Sequence, residues 1–217
     1  MTTVPKTLDL RGDPDADLTE VVDHIRSGGV VAYPTETVYG LGSACSAQGI
    51  DTVREVKGRS SKKPLIALVE SAESVEGLTW TDFASELASI FWPGALTLVL
   101  ADPDRTYPDG ERSEESGAVA VRVSPHPLVV RLLAELGAPL TSTSLNAEGE
   151  TPVSSGRAAR GVLERLGGPP TYLLDVGTLP ASGPSTVVDC TGPEPVVLRE
   201  GTVPIERLRC AIPDIHD

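Results

Sequence analysis

The distribution of apolar residues along the chain predicts alternating strands and helices. Asp17 and Glu20 form a capping box before an apolar helical face, and Gly28 is placed to end that helix. Apolar residues three and four positions apart predict further helices at residues 50–56, 127–136, 157–166 and 205–209. Short apolar runs predict strands at residues 30–33, 65–69, 96–100, 119–123, 140–142, 172–175, 186–189 and 196–199. This order of elements is typical of an α/β fold.

Residues 83–117 combine a predicted helix, the strand at 96–100 and a predicted loop. Phe83, Leu87 and Ile90 recur at helical spacing, and the Trp-Pro-Gly sequence that follows is expected to end the helix. Residues 101–117 contain six acids, and Tyr107 is their one aromatic residue. Because a segment without an apolar period can bury little surface, we expect this loop to be mobile and dispensable for the fold.

The chain is expected to form one domain over its 217 residues, with a core at about 14–203 and a short C-terminal tail. The last predicted strands follow one another with turn residues between them, which favours antiparallel pairing. We therefore predict a mixed sheet, parallel in part and antiparallel in part, with helices around it.

Composition restricts the class of protein and its location. Hydrophobic residues make up 40% of the chain and charged residues 23%, as in soluble globular proteins. No segment approaches the ~20 apolar residues of a membrane span, and the N-terminus lacks the apolar stretch of a signal peptide. Three widely spaced cysteines and three histidines match neither a disulfide framework nor a metal-ligand pattern. We expect a cytoplasmic protein with no membrane contact and no metal held by protein ligands.

A basic segment stands out in this acidic chain. Residues 54–63 carry five basic side chains and one acid, a local charge of +4, whereas the whole chain carries −13. Such a segment indicates an anionic ligand, and Lys57, Arg59 and Lys63 are the candidates for binding phosphate. A solvated helix end would also account for Lys57 and Arg59. The acidity of the remaining chain means that any RNA contact should be local.

Polar residues and glycines follow the first predicted strand. Thr35, Glu36 and Thr37 place two hydroxyls and a carboxylate at a strand end, where α/β folds bind ligands. Gly40 and Gly42 leave room for backbone to approach a ligand, although a plain turn would also use them. The chain has neither a phosphate-binding P-loop nor a complete G-x-G-x-x-G motif. If a nucleotide binds, side chains and irregular backbone must hold its phosphates.

Seven short motifs occur in a fixed order along the chain. They are YPTETVYGLG at 33–42, KGRSSKKPL at 57–65, PGALTLVL at 93–100, AVRV at 120–123, STSLN at 142–146, PSTVVD at 184–189 and VLREG at 197–201. Together they resemble the YrdC family of L-threonylcarbamoyladenylate synthases. The resemblance implies a single twisted, mixed sheet with a concave ligand face, in the form that lacks the additional C-terminal domain of larger relatives.

The resemblance also implies roles for particular residues. The ATP-binding residues would be Lys57, Arg59, Lys63, Ser142, Ser144, Asn146 and Arg199, of which Lys57 and Arg59 would be catalytic. The threonine-binding residues would be Thr35, Thr37, Arg122 and Ser185, with Arg122 holding the substrate carboxylate. Mg²⁺ would accompany ATP on its phosphates. From pattern alone, Arg122 could equally point to water from its strand.

The implied reaction condenses L-threonine, bicarbonate and ATP to L-threonylcarbamoyl-AMP and pyrophosphate. A separate transferase would use the product to modify the adenosine beside the tRNA anticodon. Two alternatives stay open. One is a paralogue without synthase activity, because Leu145 stands where most relatives have a small residue. The other is an RNA-binding module, which the scarcity of aromatic residues disfavours.

Overall fold

A computed structural model describes residues 4–58, 64–147, 149–169 and 171–216 of the chain. The strands are β1 Lys6–Asp9, β2 Val30–Pro34, β3 Tyr39–Ala44, β4 Ile66–Leu68, β5 Leu96–Ala101, β6 Ala118–Arg122, β7 Leu140–Ser144, β8 Thr171–Asp175, β9 Thr186–Asp189 and β10 Val196–Arg199. The helices are α1 Thr19–Arg26, α2 Ala47–Lys57, α3 Asp82–Phe91, α4 Pro127–Leu136, α5 Gly156–Leu166 and α6 Ile205–Ala211.

The strands form one sheet in the order β1-β8-β2-β3-β7-β4-β6-β5-β9-β10. β8 pairs in parallel with β1 and β2, and the β4–β6 and β5–β9 pairs are also parallel. The remaining neighbours are antiparallel, including the hairpin of β2 and β3. The predicted α/β fold with a mixed sheet is therefore confirmed.

Helices cover the two faces of the sheet unequally. On one face, α2 and α5 pack around Val30 and Leu41, while α3 and α6 pack on β5 and β6. On the other face, α1 and α4 cover Val31, Tyr33 and Leu68. Side chains alternate between faces along a strand. Part of the α1/α4 face, from β3 towards β10, thus stays open beside these two helices.

The sequence of α4 determines where this helix begins and ends. Pro127 occupies the first helical turn, where its fixed φ suits a helix and its missing N–H costs nothing. The Nδ1 atom of His126 accepts a hydrogen bond from the Leu128 N–H at 3.3 Å, which caps the helix. Gly137 ends it with a φ of 68°, a conformation that glycine adopts without steric cost. The predicted bounds 127–136 are confirmed.

Two strands and some details of two helices differ from prediction. β1 and β3 were not predicted, and β3 makes Gly40 and Gly42 strand residues instead of a ligand loop. The capping box is wrong: α1 starts at Thr19, and Asp17 accepts hydrogen bonds from the Thr19 N–H and hydroxyl instead. In α3 the buried face comprises Ala84, Leu87, Ala88 and Phe91, whereas Ile90 is half exposed.

The segment between β5 and β6 is packed, so the prediction that it can bury little is wrong. Asp102 accepts hydrogen bonds from the backbone N–H groups of Thr106 and Tyr107, and it forms a salt bridge of 3.0 Å with Arg112. Tyr107 and Glu111 are buried. Hydrogen bonds and a salt bridge hold this segment in place. The pattern of apolar residues in the sequence therefore does not reveal its packing. In the described part of the chain, no helix has the length and apolar character needed to cross a membrane.

Candidate functional site

A cavity of about 420 Å³ lies on the open part of the sheet. Seven of the eleven residues predicted to bind ligands line it, namely Thr35, Thr37, Arg122, Ser142, Ser144, Ser185 and Arg199. Strand register explains the convergence, because Leu68 lies opposite Arg122 and Ile66 lies opposite Ser142. These residues therefore point to one face of the sheet. The predicted residues come together, although their binding roles stay predictions.

Arg122 is a buried guanidinium with few partners. Its exposure is 5%, and its Nη2 atom lies 3.5 Å from Glu36 Oε1, a long ion pair. Its Nε atom is buried without a hydrogen-bond partner. The alternative of a solvent-facing arginine is thus excluded. A buried guanidinium needs acceptors for its five donors, so the cavity is suited to an anion with two oxygens in one plane.

Arg199 brings a second guanidinium to the same cavity. Its Nη2 atom donates to the Ser185 carbonyl oxygen at 2.8 Å, which ties the side chain to the start of β9. Partial burial and the positive charge of Arg122 both lower the pKa of Arg199. The hydroxyl of Ser185 contacts that of Thr97 at 2.8 Å. Two cations close enough to repel each other make this cavity electropositive within an acidic chain.

The turn between β2 and β3 presents a hydroxyl to the cavity. Thr35 Oγ1 donates to the Val38 carbonyl oxygen at 2.8 Å and lies 2.8 Å from Thr37 Oγ1. Thr35 Oγ1 also accepts hydrogen bonds from the backbone N–H groups of Thr37 and Val38 at 3.2 Å, and in its contact with Thr37 Oγ1 either hydroxyl can be the donor. The Thr37 hydroxyl, which can both donate and accept, lines the cavity and suits a polar group of a ligand.

The glycines of β3 accommodate an aromatic ring. A Cβ atom on Gly42 would lie 3.1 Å from the Tyr33 ring and 2.0 Å from the Thr141 carbonyl oxygen. A Cβ on Gly40 would lie 3.3 Å from the same ring. The space left by these glycines is thus used by Tyr33, although Gly40 also lines the cavity.

Lys57 holds the loop after β7 and does not reach the cavity. It is buried at the end of α2, and its Nζ atom donates to the Ser144 carbonyl oxygen at 2.8 Å. It also donates to the carbonyl oxygen and Oδ1 of Asn146, at 2.7 and 3.1 Å. An ammonium has three donors, and here all three face protein oxygens. These contacts give Lys57 a positioning role towards the loop after β7, while its predicted catalytic contact with phosphate stays a prediction.

Asn146 belongs to the same network. Its Nδ2 atom donates to the carbonyl oxygens of Ala147 and Glu150, and its Oδ1 accepts from the Ser144 hydroxyl at 2.8 Å. The side chain is therefore committed to shaping the loop, while Ser144 lines the cavity. Leu145, between them, is fully buried in the core beside α2 and α5. The Leu145 side chain therefore does not line the cavity.

Lys57→Met should lower the free energy of unfolding by about 1–2 kcal/mol, because buried carbonyl oxygens lose their donor. It should also weaken ATP binding by releasing the loop that carries Ser144. Urea unfolding and calorimetric titration with ATP measure the two effects. Arg157→Met is the control, since Arg157 is exposed on α5. Unchanged stability with abolished activity would contradict the positioning role.

Two predicted ATP-binding residues cannot be placed in the site, and two further residues lie beside it. Arg59 and Lys63 fall outside the described residues, so their predicted ATP contacts stay predictions. The sequence placed Glu36 at a strand end suited to a ligand but gave it no role, and it did not single out Ser124. In the structure the Ser124 hydroxyl donates to Glu36 Oε2 at 2.5 Å, and Glu36 Oε1 lies 3.5 Å from Arg122 Nη2.

The residues of the cavity do not form a metal centre. Among the described residues, its lining includes hydroxyls and guanidinium groups but no carboxylate. Within the described ranges, no group of three histidine, cysteine, aspartate or glutamate side chains could hold a metal ion. The residues fit a metal that arrives on phosphate oxygens, and not one held by protein ligands.

Comparisons with known proteins agree with one another. The family model Sua5/YciO/YrdC, described as telomere recombination, matches residues 23–201. A threonylcarbamoyl-AMP synthase of Bacillus subtilis (strain 168) is 35% identical over 207 residues, covering 93% of this chain and 58% of that protein. A putative threonylcarbamoyl-AMP synthase of Mycobacterium tuberculosis (strain CDC 1551 / Oshkosh) is 36% identical, covering 88% of this chain and 87% of that protein.

Comparison with solved structures also finds members of this family. The crystal structure of P. abyssi Sua5 complexed with L-threonine has a TM-score of 0.85 and 30% identity. The alignment covers 99% of this chain and 63% of that chain. E. coli YciO has a TM-score of 0.79 at 23% identity, which shows a shared fold. The chain thus spans about three fifths of the longer relatives and most of the shorter ones.

Proposed function

This chain belongs to the Sua5/YciO/YrdC family, and on that premise we propose that it is an L-threonylcarbamoyladenylate synthase. In this proposal it is a nucleotidyltransferase that condenses L-threonine, bicarbonate and ATP to L-threonylcarbamoyl-AMP and pyrophosphate. Relatives of similar length and longer relatives both carry this name. The activity of the whole protein is therefore proposed from the family together with the chemistry of the cavity.

The observation that carries the proposal is the buried, under-paired guanidinium of Arg122. A carboxylate can accept two parallel hydrogen bonds from such a group, which would satisfy the Nε atom that has no partner. Thr37, which lines the cavity, would accept a hydrogen bond from the amino or hydroxyl group of the substrate. Carboxylate, amine and hydroxyl are the three polar groups of threonine.

Arg199, Ser142 and Ser144, which line the same cavity, would bind the nucleotide. Arg59 and Lys63 would add positive charge against the phosphates, because charge-assisted hydrogen bonds to phosphate are strong. Mg²⁺ would enter as part of the Mg–ATP substrate, bound to phosphate oxygens and water. Ser144 would be kept in place by the network of Lys57 and Asn146.

The proposed chemistry proceeds in two steps. The amine nitrogen of threonine bonds to the carbon of bicarbonate, and loss of water leaves a carbamate. A carbamate oxygen then bonds to the α-phosphorus of ATP, and the bond to the bridging oxygen breaks to release pyrophosphate. Both steps need the reactants held close and their negative charge offset, which the two arginines would supply.

The product would serve tRNA modification through other proteins. A separate transferase would pass the threonylcarbamoyl group to the adenosine beside the anticodon. Any tRNA contact of this chain would be local, because the chain is acidic overall. We propose a cytoplasmic location, where ATP, bicarbonate and tRNA are available.

The direct test is incubation of pure protein with Mg–ATP, threonine and bicarbonate, followed by mass spectrometry for the adenylate. We expect threonylcarbamoyl-AMP and an equal amount of pyrophosphate, and neither without threonine. ATP binding without product would favour the inactive paralogue. Binding of RNA without any effect of ATP would favour the RNA-binding module.

Arg59→Ala should weaken ATP binding about tenfold, since a hydrogen bond to a charged group contributes about 1.5 kcal/mol or more. Calorimetry with Mg–ATP measures the dissociation constant. Arg157→Ala, with the same loss of charge on the exposed surface of α5, should leave it unchanged. Equal ATP affinity of the Arg59→Ala protein and the original protein would reject the phosphate contact.

A further inference from the structure

A second cavity, of about 580 Å³, lies away from the first. It forms between α3 and the segment that follows β4. Trp80 and Trp92, the two tryptophans of the whole sequence, both line it. Their rings meet edge to face, with centroids 6.0 Å apart, and Trp92 Nε1 donates to the Leu96 carbonyl oxygen at 2.6 Å. The hydrogen bond fixes one indole ring as a wall of this tryptophan cavity.

The two cavities lie on opposite faces of the sheet. Val123 lines the tryptophan cavity, whereas its neighbour Arg122 lines the other cavity. Val123 packs in the same core cluster as α3, and Leu68, opposite Arg122, packs with α1 and α4. A ligand of the tryptophan cavity would therefore not compete directly for the cavity that contains Arg122.

The charged residues that line the tryptophan cavity, among those that the structure describes, are all acidic. They are Glu70 and Glu73, and no described lysine, arginine or histidine lines it. The Ser71 hydroxyl, hydrogen-bonded to the Glu73 carboxylate, lowers the pKa of that group, which stays ionised at neutral pH. Indole faces attract cations through their negative quadrupole, most strongly among the aromatic side chains. Carboxylates beside indoles thus select a positively charged organic group.

The size of the cavity argues for a whole small molecule. A volume of 580 Å³ is within the range of small-molecule sites, and it greatly exceeds one lysine or arginine side chain. The two carboxylates suit two ammonium groups, and the indoles with Ala72 and Pro93 suit the methylene chain between them. We propose that the tryptophan cavity binds a small aliphatic polyamine.

Tryptophan fluorescence tests the proposal, because every tryptophan of the chain reports on this cavity. Titration with spermidine at fixed ionic strength should give a saturable change in emission. Glu70→Gln/Glu73→Gln should raise the apparent dissociation constant at least tenfold. Glu55→Gln/Glu164→Gln, the same charge change outside the cavity lining, should leave it unchanged. All four carboxylates are solvent-accessible, so these variants should fold, which circular dichroism checks.

Two further titrations identify the chemistry that is recognised. 1,6-Hexanediol has an apolar chain without charge, and MgCl₂ has charge without an apolar chain. Neither should reproduce the change seen with spermidine. No saturable change with spermidine, an equal response to either control, or equal affinity in the Glu70/Glu73 double variant would overturn the proposal. Saturation by a lysine-rich peptide but not by spermidine would overturn it in favour of a protein partner.

Discussion

Arg122→Lys is expected to lower kcat/KM for threonine roughly thirtyfold, equivalent to about 2 kcal/mol of transition-state stabilisation. Lysine carries the same charge but cannot make two parallel hydrogen bonds to a carboxylate. The smaller ammonium group of lysine would also compensate the negative charge of Glu36 less well. Glu36 lies 3.5 Å from the Arg122 guanidinium. ATP binding should stay nearly intact, because in the proposed function Arg199 and the basic segment, and not Arg122, would hold the nucleotide.

Pyrophosphate release measured against threonine concentration checks this expectation, with ATP affinity determined in parallel. Arg157→Lys is the matched control on an exposed helix surface. Superimposable threonine curves for the Arg122→Lys protein and the original would mean that the carboxylate binds elsewhere. A parallel loss of ATP binding would mean that Arg122 serves both substrates.

Glu111→Gln is expected to stabilise the fold at pH 8 by about 2–3 kcal/mol, which is the largest stability effect that the structure predicts. Glu111 is fully buried, and neither carboxylate oxygen has a hydrogen-bond partner among the described residues. Burial raises the pKa of Glu111 from 4.5 to about 7, although Thr141, Cys45 and Arg54 nearby partly offset this. Glutamine would occupy the site without a charge to desolvate.

The direction of the pH effect follows from proton binding. Between pH 4.5 and about 7 the folded state keeps a proton that the unfolded state has released. This group therefore makes stability fall as pH rises through that window, and its effect is constant above it. Below pH 4.5 both states are protonated, so the original protein and Glu111→Gln should be about equally stable.

Urea unfolding at pH 5, 6, 7 and 8 measures the difference. Glu115→Gln, on the exposed surface of the same segment, should follow the original protein at every pH. A Glu111→Gln protein that is less stable at pH 8 would contradict the expectation. It would show that Glu111 is ionised and compensates the charge of Arg54.

The sequence predicts those elements whose own residues determine them. The Pro127 and Gly137 signals defined α4 because each acts through local backbone geometry. β3 was missed because glycines obscure its alternation, and its strand character depends on pairing with β2 and β7. β1 was missed because it is a partly exposed strand at the end of the sheet.

Seven of the eleven predicted residues line the candidate site, and their binding roles stay predictions. Arg122 in β6, Ser185 just before β9 and Arg199 in β10 are distant in sequence, and the motif resemblance grouped them before any contact was known. Lys57 shows the limit. The sequence suggested either a phosphate ligand or a solvated helix end for Lys57, whereas the residue lies four positions after Val53 on the buried face of α2. Its acceptors, 87 and 89 positions later, could be identified only from the fold.

The strand order also determines when the sheet can form during synthesis on the ribosome. Lys6 in β1 pairs with Tyr172 in β8, 166 positions later. At about 5–20 residues per second, β1 waits roughly 8–30 s for its partner to be made. The cavity spans residues from Thr35 to Arg199, so a nascent chain that stops before β10 lacks part of its lining. Substrates that need this whole lining therefore cannot stabilise the nascent chain before Arg199 has been made.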